Sequence, residues 1–156
     1  MAMKKQEIKD GFGLYTTRRT LPMALLRARE VVMERFRPLL GDYGLTEQQW
    51  RVLRVLNEVD EMDATKLARQ ASVLLPSLTR IIKLLVSRGL IETRKDPEDS
   101  RRALARLTSE GRNLIFGVAP DSVKIYRQIE ALYGADRLSH LLDELELLIN
   151  ALETEA

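Results

Sequence analysis

Residues 76–111 read PSLTRIIKLLVSRGLIETRKDPEDSRRALARLTSEG, and this stretch decides the fold. It opens with a proline and an apolar stripe at three- and four-residue spacing, which predicts a helix that ends at Gly89 in a left-handed conformation. Two short extended runs follow, LIETRK and RALARLT, and the Asp96-Pro97 step between them is typical of a turn. The stretch therefore predicts a helix followed by a β-hairpin whose tip is displayed outward.

The hairpin and the segment after it are strongly charged. Residues 96–111 hold four acidic residues and three arginines. A solvated loop is the simplest interpretation of such a segment taken alone. The sequence on either side of this segment is needed to distinguish a solvated loop from a functional one.

The side of the predicted helix that faces away from the core is small and cationic. The apolar stripe consists of Leu78, Ile81, Ile82 and Leu85. The outward positions contain no acid and are Ser77, Thr79, Arg80, Lys83 and Ser87. Such a face suits either a solvated helix surface or contact with nucleic acid.

Charge is segregated along the chain, although the net charge is only +2. Residues 66–112 contain eleven Lys/Arg and five Asp/Glu, whereas residues 113–156 contain three and eight. A compact basic stretch is the expected footprint of a surface that meets phosphate, and it also arises by chance segregation.

The composition excludes several classes of protein. A chain of 156 residues is expected to form a single domain, 1–156. It has no cysteine and one histidine, His140, so disulfides, thiolate zinc sites and a multi-histidine metal site in one subunit are excluded, and no cofactor is expected. We expect His140 to be a surface or dimer-interface residue. No phosphate-binding glycine loop and no nucleophile with a plausible base are present, which argues against an enzyme.

A cytoplasmic location without membrane contact is the expectation from the same composition. No run of about 18 apolar residues predicts a transmembrane helix. The opening segment MAMKKQEIKDGFG has lysines but no apolar region behind them, so it does not resemble a signal peptide.

Helices are predicted on both sides of the opening stretch. LPMALLRAREVVMERFRPLL, residues 21–40, predicts a long amphipathic helix that ends before GDYG. Thr46 and Gln49 form a capping-box pair at the start of the next helix, and Asp63 is a good N-cap for a short third helix. The inner face of that third helix is Leu67, Ala68 and Ala71.

Two further helices are predicted after the hairpin. Thr108 caps a helix that runs to about Tyr133, with a kink at Pro120. A broad leucine stripe over residues 138–152 predicts the last helix. This stripe suits either the core of a monomer or a dimer interface.

The order of these elements matches a winged helix-turn-helix plan. A short helix, a tight turn, a basic second helix and a cationic hairpin predict a DNA-binding lobe over residues 45–108. The fold class is therefore mainly α with a small β-hairpin. A helix of this kind fits the major groove, and a hairpin arginine fits the adjacent minor groove.

The predicted wing carries its arginines next to an acid that could orient them. Asp99 precedes Arg101 by two residues and Arg102 by three, so either guanidinium is within reach of its carboxylate.

TEQQWRVLRVL, PSLTRIIKLLVSRGLIETRKDPEDSRR and LTSEG together resemble the MarR family of transcriptional regulators over roughly residues 20–150. The wing matches the family pattern D-x-x-D-x-R through Asp96, Asp99 and Arg101. Ser100 departs from the arginine that many members have there, which leaves open whether Arg101 or Arg102 enters the minor groove. ALLRARE and LTEQQWRVLR look most like repressors of homoprotocatechuate degradation operons.

The resemblance implies a homodimer, formed by dimerisation helices over residues 20–43 and 109–153. It further implies that this dimer binds a palindromic operator in double-stranded DNA and is released by a small, often phenolic, carboxylate. The implied DNA contacts are Pro76, Ser77, Thr79, Arg80 and Lys83 in the major groove, and Arg101 or Arg102 with Asp99 at the wing. An anionic effector needs a guanidinium partner, for which Arg27 and then Arg18 are the candidates, and Trp50 is the candidate aromatic wall. A DNA-binding regulator without a small-molecule effector is the alternative.

Overall fold

The structure, a computed structural model, describes residues 16–154. A 3₁₀ turn, Thr17–Arg19, precedes six helices and three strands. In chain order these are α1 Leu21–Asp42, α2 Glu47–Leu56, β1 Met62–Asp63, α3 Ala64–Gln70, α4 Leu75–Ser87, β2 Ile91–Lys95, β3 Ala103–Leu107, α5 Ser109–Tyr133 and α6 Ala135–Glu153. The predicted fold class, mainly α with a small hairpin, is confirmed. The prediction that the opening segment is no signal peptide concerns residues 1–15, which lie outside the described range.

The chain divides after Pro38 into two compact units. In the first unit, Thr20 Oγ1 donates to the carbonyl of Thr17 at 2.8 Å, and Arg37 donates to both carboxylate oxygens of Glu30 at 3.0 and 2.8 Å. Much of the apolar surface of α1 is exposed in the single chain, namely Leu21, Leu25, Leu26, Val31 and Val32.

The predicted end of α1 was wrong by two residues. The helix continues through Gly41 and Asp42, because the residue with left-handed backbone is Gly44, at φ +65°. The Leu45 N–H donates to the carbonyl of Leu40 at 2.9 Å and closes the helix there.

In the second unit, α2, α3, α4, β2 and β3 contribute to a hydrophobic core. Helices α2 and α3 begin where the sequence predicted, because their N-caps form as predicted. Thr46 and Gln49 make both hydrogen bonds of the capping box, and Asp63 Oδ1 accepts from the Lys66 backbone N–H at 3.0 Å. The core includes the fully buried Val52, Leu53, Leu56, Leu67, Leu78 and Leu85.

The sheet has three antiparallel strands in the order β1-β3-β2. The hairpin pairs Ile91 with Leu107 and Lys95 with Ala103, while β1 pairs Met62 with Ala105 on the other edge of β3. The sequence predicted the hairpin but missed β1, because two residues are too short to show an alternating pattern.

Helix α5 begins directly after the hairpin. Thr108 Oγ1 accepts from the Gly111 N–H at 3.1 Å, as predicted for its N-cap, and donates to the Gly89 carbonyl at 2.6 Å. A Cβ at Gly111 would lie 2.1 Å from the Leu90 carbonyl oxygen, so only glycine fits against the chain between α4 and β2. The helix runs unbroken to Tyr133, with Pro120 inside it.

Helix α6 starts after Gly134, which has φ +103°. None of its residues, all of which the structure describes, is buried in the single chain. Within residues 16–154 no single helix is long and apolar enough to cross a membrane, and α3 and α4 meet those criteria only as a pair bent by 104°.

Candidate nucleic-acid interface

Helices α3 and α4 form a helix-turn-helix. They are bent by 104° to each other, within the about 90–120° typical of the motif. Ser72 in the turn has φ +51°, a conformation that a serine adopts at a cost. Arg51 of α2 supports this turn, since its Nε donates to the Ala71 carbonyl at 2.7 Å and its Nη2 to that of Ser72 at 3.3 Å.

The sequence did not reveal the role of Arg51. Its contact spans 20 residues of chain, and the turn carries no glycine to mark the left-handed position. The positive charge of Arg51 on the amphipathic α2 was the available signal, and it matches an ordinary solvated arginine equally well.

The outward face of α4 is largely as predicted. Leu78, Ile81 and Leu85 are buried, while Ile82 is half-buried. Ser77 is also half-buried and lies at the edge of the face rather than fully outward. The exposed polar members are Thr79, Arg80, Lys83 and Ser87.

The charged and the hydroxyl side chains of this face differ in their partners. Thr79 Oγ1 donates to the Leu75 carbonyl at 3.2 Å, and Ser87 Oγ donates to that of Leu84 at 2.7 Å. Neither the Arg80 nor the Lys83 side chain forms a hydrogen bond or ion pair with any part of the chain that the structure describes. These two cations are therefore available to an anionic or hydrogen-bond-accepting partner.

The wing tip holds Arg101 in a defined position. Asp99 Oδ1 accepts from both the Arg101 backbone N–H, at 3.0 Å, and its Nε, at 3.1 Å. The Arg101 side chain is nonetheless 89% exposed. The guanidinium and the backbone N–H of Arg101 lower the pKa of Asp99, so the carboxylate stays charged and continues to orient the arginine.

The Arg102 side chain, unlike that of Arg101, pairs with an acid that lies outside the wing. Its Nη2 donates to Asp63 Oδ2 at 2.8 Å, and the Asp63 carboxylate is almost completely buried. The same carboxylate caps α3 through the Lys66 N–H. That backbone hydrogen bond, followed by the bond from Arg102, lowers the pKa of Asp63.

Two further ion pairs fix the root of the wing. Arg94 of β2 donates to Glu61 through Nε at 2.8 Å and Nη2 at 2.5 Å, which lowers the pKa of Glu61. Arg106 Nε donates to Glu92 across the hairpin at 2.6 Å. Of the four acids that bind wing arginines, sequence spacing indicated only Asp99, since the other three lie 14 to 39 residues from their partners.

The three predicted effector contacts lie in different units of the chain. Arg18 is exposed in the 3₁₀ turn, and Arg27 is exposed on α1, both in the first unit. Trp50 is half-buried on α2, in the second unit, and the Arg54 guanidinium lies 5.9 Å from its ring centroid.

His140 is exposed on α6. Among the residues that the structure describes, no group of three His, Cys, Asp or Glu side chains is placed to hold a metal ion.

Comparison with known proteins relates this interface to regulators of transcription. Residues 45–103 match the MarR family. The chain is 42% identical over 135 residues to the homoprotocatechuate degradative operon repressor of Escherichia coli. The alignment covers 85% of this chain and 91% of the repressor.

Two solved structures share the fold over most of the chain. NadR in complex with 4-hydroxyphenylacetate is 34% identical to this chain, with a TM-score of 0.80. The superposition covers 88% of this chain and 100% of NadR. The repressor CouR bound to a 23-mer DNA duplex is 26% identical to this chain, with a TM-score of 0.77. The superposition covers 87% of this chain and 98% of CouR.

Proposed function

Because the chain belongs to the MarR family of transcriptional regulators, we propose that it is a repressor that binds a palindromic DNA operator as a homodimer. We further propose that a small aromatic carboxylate releases it. In this proposal residues 45–108 are the DNA-binding lobe, and the helices within 20–43 and 109–153 form the dimer.

The observation that carries the DNA-binding role is the free cationic face of α4 beside an arginine-tipped wing. Arg80 and Lys83 are exposed and unpaired within the described residues, on a helix whose N-terminal end is preceded by a tight turn. Helices of this geometry enter the major groove, where arginine recognises guanine and lysine binds guanine or phosphate. Ser77, Thr79 and Pro76 complete the proposed contact surface at the start of α4.

Arg101 is the proposed minor-groove residue. Its guanidinium is oriented by Asp99 and exposed to solvent, as a side chain that reaches into a narrow groove must be. Arg102 supports the wing through Asp63 and is proposed to act on DNA indirectly.

The exposed apolar surface of α6 supports the homodimer. In the single chain α6 exposes Leu141, Leu142, Ile149 and Leu152. A second copy that covers this surface would remove it from water, and twofold symmetry would place two copies of α4 about one helical turn apart on DNA.

An aromatic carboxylate is proposed as effector because relatives are named for such compounds. One relative is a repressor of the homoprotocatechuate degradative operon, and another was solved with 4-hydroxyphenylacetate. Arg27 and Arg18 are the proposed partners of the carboxylate, and Trp50 is the proposed aromatic contact.

Selection from a random duplex library tests the DNA half of the proposal. We expect enrichment of a twofold-symmetric sequence that the protein binds at least about 1,000-fold more tightly than random duplex at the same salt concentration. Enrichment of no sequence would contradict a regulatory role.

The effector half is tested on the enriched duplex. We expect 4-hydroxyphenylacetate or homoprotocatechuate to raise the dissociation constant in a fluorescence anisotropy titration, with phenylacetamide as an uncharged control. Arg27→Ala should weaken the response to the acid without weakening DNA binding. Unchanged affinity across the acids would instead support a DNA-binding regulator without an effector.

A further inference from the structure

Two large apolar side chains are exposed at the N-terminal end of α4. Leu74, the N-cap residue, is 77% exposed, and Leu75, the first residue of the helix, is 47% exposed. Single exposed leucines are ordinary on protein surfaces, but these two are adjacent and lie where a recognition helix meets base edges.

The surroundings of these leucines are cationic. Residues 64–90, from the start of α3 to the end of the turn after α4, contain five Lys/Arg and no Asp/Glu. Such a surface favours a polyanionic partner that also presents apolar groups, and DNA is such a partner because thymine carries a methyl group in the major groove.

The polar side chains near this end offer little competition for base recognition. The Thr79 hydroxyl proton is donated to the Leu75 carbonyl at 3.2 Å, and Ser77 is half-buried. Thr79 therefore has no proton left to donate to a base acceptor. The Thr79 oxygen can still accept from a base donor, but thymine presents only an acceptor and a methyl group in the major groove. Readout of a thymine at the start of α4 therefore falls to apolar groups and to Arg80.

We propose that Leu74 and Leu75 pack against thymine C5-methyl groups and thereby select thymine in each operator half-site, beside the base that Arg80 contacts. The proposal rests on the proposed function and names its specificity-determining apolar residues. A cytosine at the same position would present no methyl group, and a purine would present a hydrogen-bonding edge that leucine cannot satisfy.

Replacement of thymine by deoxyuridine in the enriched operator duplex tests this directly, because it removes only the C5-methyl groups. We expect the affinity of the wild-type protein to fall by about fourfold for each methyl group in contact. The double variant Leu74→Ala/Leu75→Ala should bind the thymine duplex more weakly than wild type and should bind both duplexes equally.

Leu84→Ala is the matched control. Leu84 is 45% exposed and lies on the same helix, nine residues beyond Leu75 and away from its N-terminal end. This variant should keep the full preference of the wild type for thymine. Circular dichroism and analytical ultracentrifugation of all variants should show unchanged helicity and oligomeric state.

Four other outcomes are possible, and each contradicts a different part of the proposal. Equal binding of both duplexes by the wild type overturns the inference and leaves the proposed function intact. A uracil penalty that persists in the double variant means that other groups read the methyls. A changed oligomeric state in the double variant means that a second copy covers the leucines. Failure of the wild type to enrich any sequence overturns the proposed function and the inference with it.

Discussion

Arg101 and Arg102 are neighbours in the chain, yet different elements hold their side chains. Arg101 is paired locally with Asp99 at the wing tip and is exposed, whereas Arg102 reaches back to the carboxylate of Asp63. The wing motif cannot distinguish these two roles because both residues have the same chemistry and adjacent positions. The distinction depends on an acid 39 residues away from Arg102.

The two arginines should therefore respond differently to alanine substitution. Arg101→Ala should weaken specific DNA binding by about 1–3 kcal/mol if it contacts the minor groove, and should leave thermal stability unchanged because its side chain supports nothing else. Arg102→Ala should lower the melting temperature as well as DNA affinity. Fluorescence anisotropy and differential scanning calorimetry on both variants measure the two effects.

Arg101→Lys is the informative control for that comparison. It keeps the positive charge but lacks the planar fork that Asp99 orients, so we expect affinity between those of wild type and Arg101→Ala. Equal losses of stability in Arg101→Ala and Arg102→Ala would contradict the division of roles.

At the scale of elements, Asp63 connects three of them. It is the last residue of β1, the N-cap of α3 and the partner of Arg102 at the end of the wing. The Lys66 N–H and the Arg102 guanidinium stabilise the charged carboxylate, so its pKa lies below the ordinary value of 3.8. The position of the wing is thereby coupled to the start of the helix-turn-helix.

This coupling predicts how stability depends on pH. The unfolded chain takes up the Asp63 proton near its ordinary pKa, and the folded chain takes it up only at lower pH. The contribution of Asp63 is therefore complete above the unfolded value and is lost as pH falls below about 4 and through the folded pKa. In urea unfolding at fixed protein concentration, the free energy of unfolding of Asp63→Asn should fall less steeply below about pH 4 than that of the wild type.

Asparagine suits the experiment because it caps helices about as well as aspartate. The loss for Asp63→Asn at pH 7, about 1 kcal/mol in the free energy of unfolding, should then reflect the pair with Arg102. In the double variant Asp63→Asn/Arg102→Ala the two losses should be less than additive. Full additivity would mean that the pair does not stabilise the fold.

The same elements show what sequence reasoning can reach. Local signals predicted α2, α3 and α5 with their N-caps, since a capping residue and its partner are three positions apart, and they predicted α4 from its apolar stripe and Pro76. They also placed the hairpin and the pair between Asp99 and Arg101. They missed β1, the Arg51 contact with the turn, and the pairs of Arg94 and Arg102, because those contacts join distant positions that have no periodic pattern.

For the molecule as a whole, basic and acidic residues lie in different parts of the sequence. The basic residues concentrate in the stretch that forms α3, α4 and the wing, while residues 113–156 have five more acids than basic residues. Helix α6 combines these acids with exposed leucines. An acidic region would avoid the phosphates that the basic lobe is proposed to bind, so the two regions suit different partners.

The leucine stripe of α6 gives the test of assembly. Leu142 belongs to the stripe and is 58% exposed in the single chain, whereas Leu147 is 62% exposed and lies about 140° around the helix from it. Leu142→Glu should raise the dimer dissociation constant by at least about 30-fold, since an unpaired carboxylate buried in an interface costs several kcal/mol. Leu147→Glu introduces the same charge outside the stripe and should leave the dimer intact. Sedimentation velocity over a concentration series measures both.

Because one α4 reads few bases, the variant that dissociates should also lose affinity for a palindrome while keeping its affinity for random duplex per subunit. Dissociation by both variants would show that the interface extends around α6, and dissociation by neither would place the dimer contact on other helices.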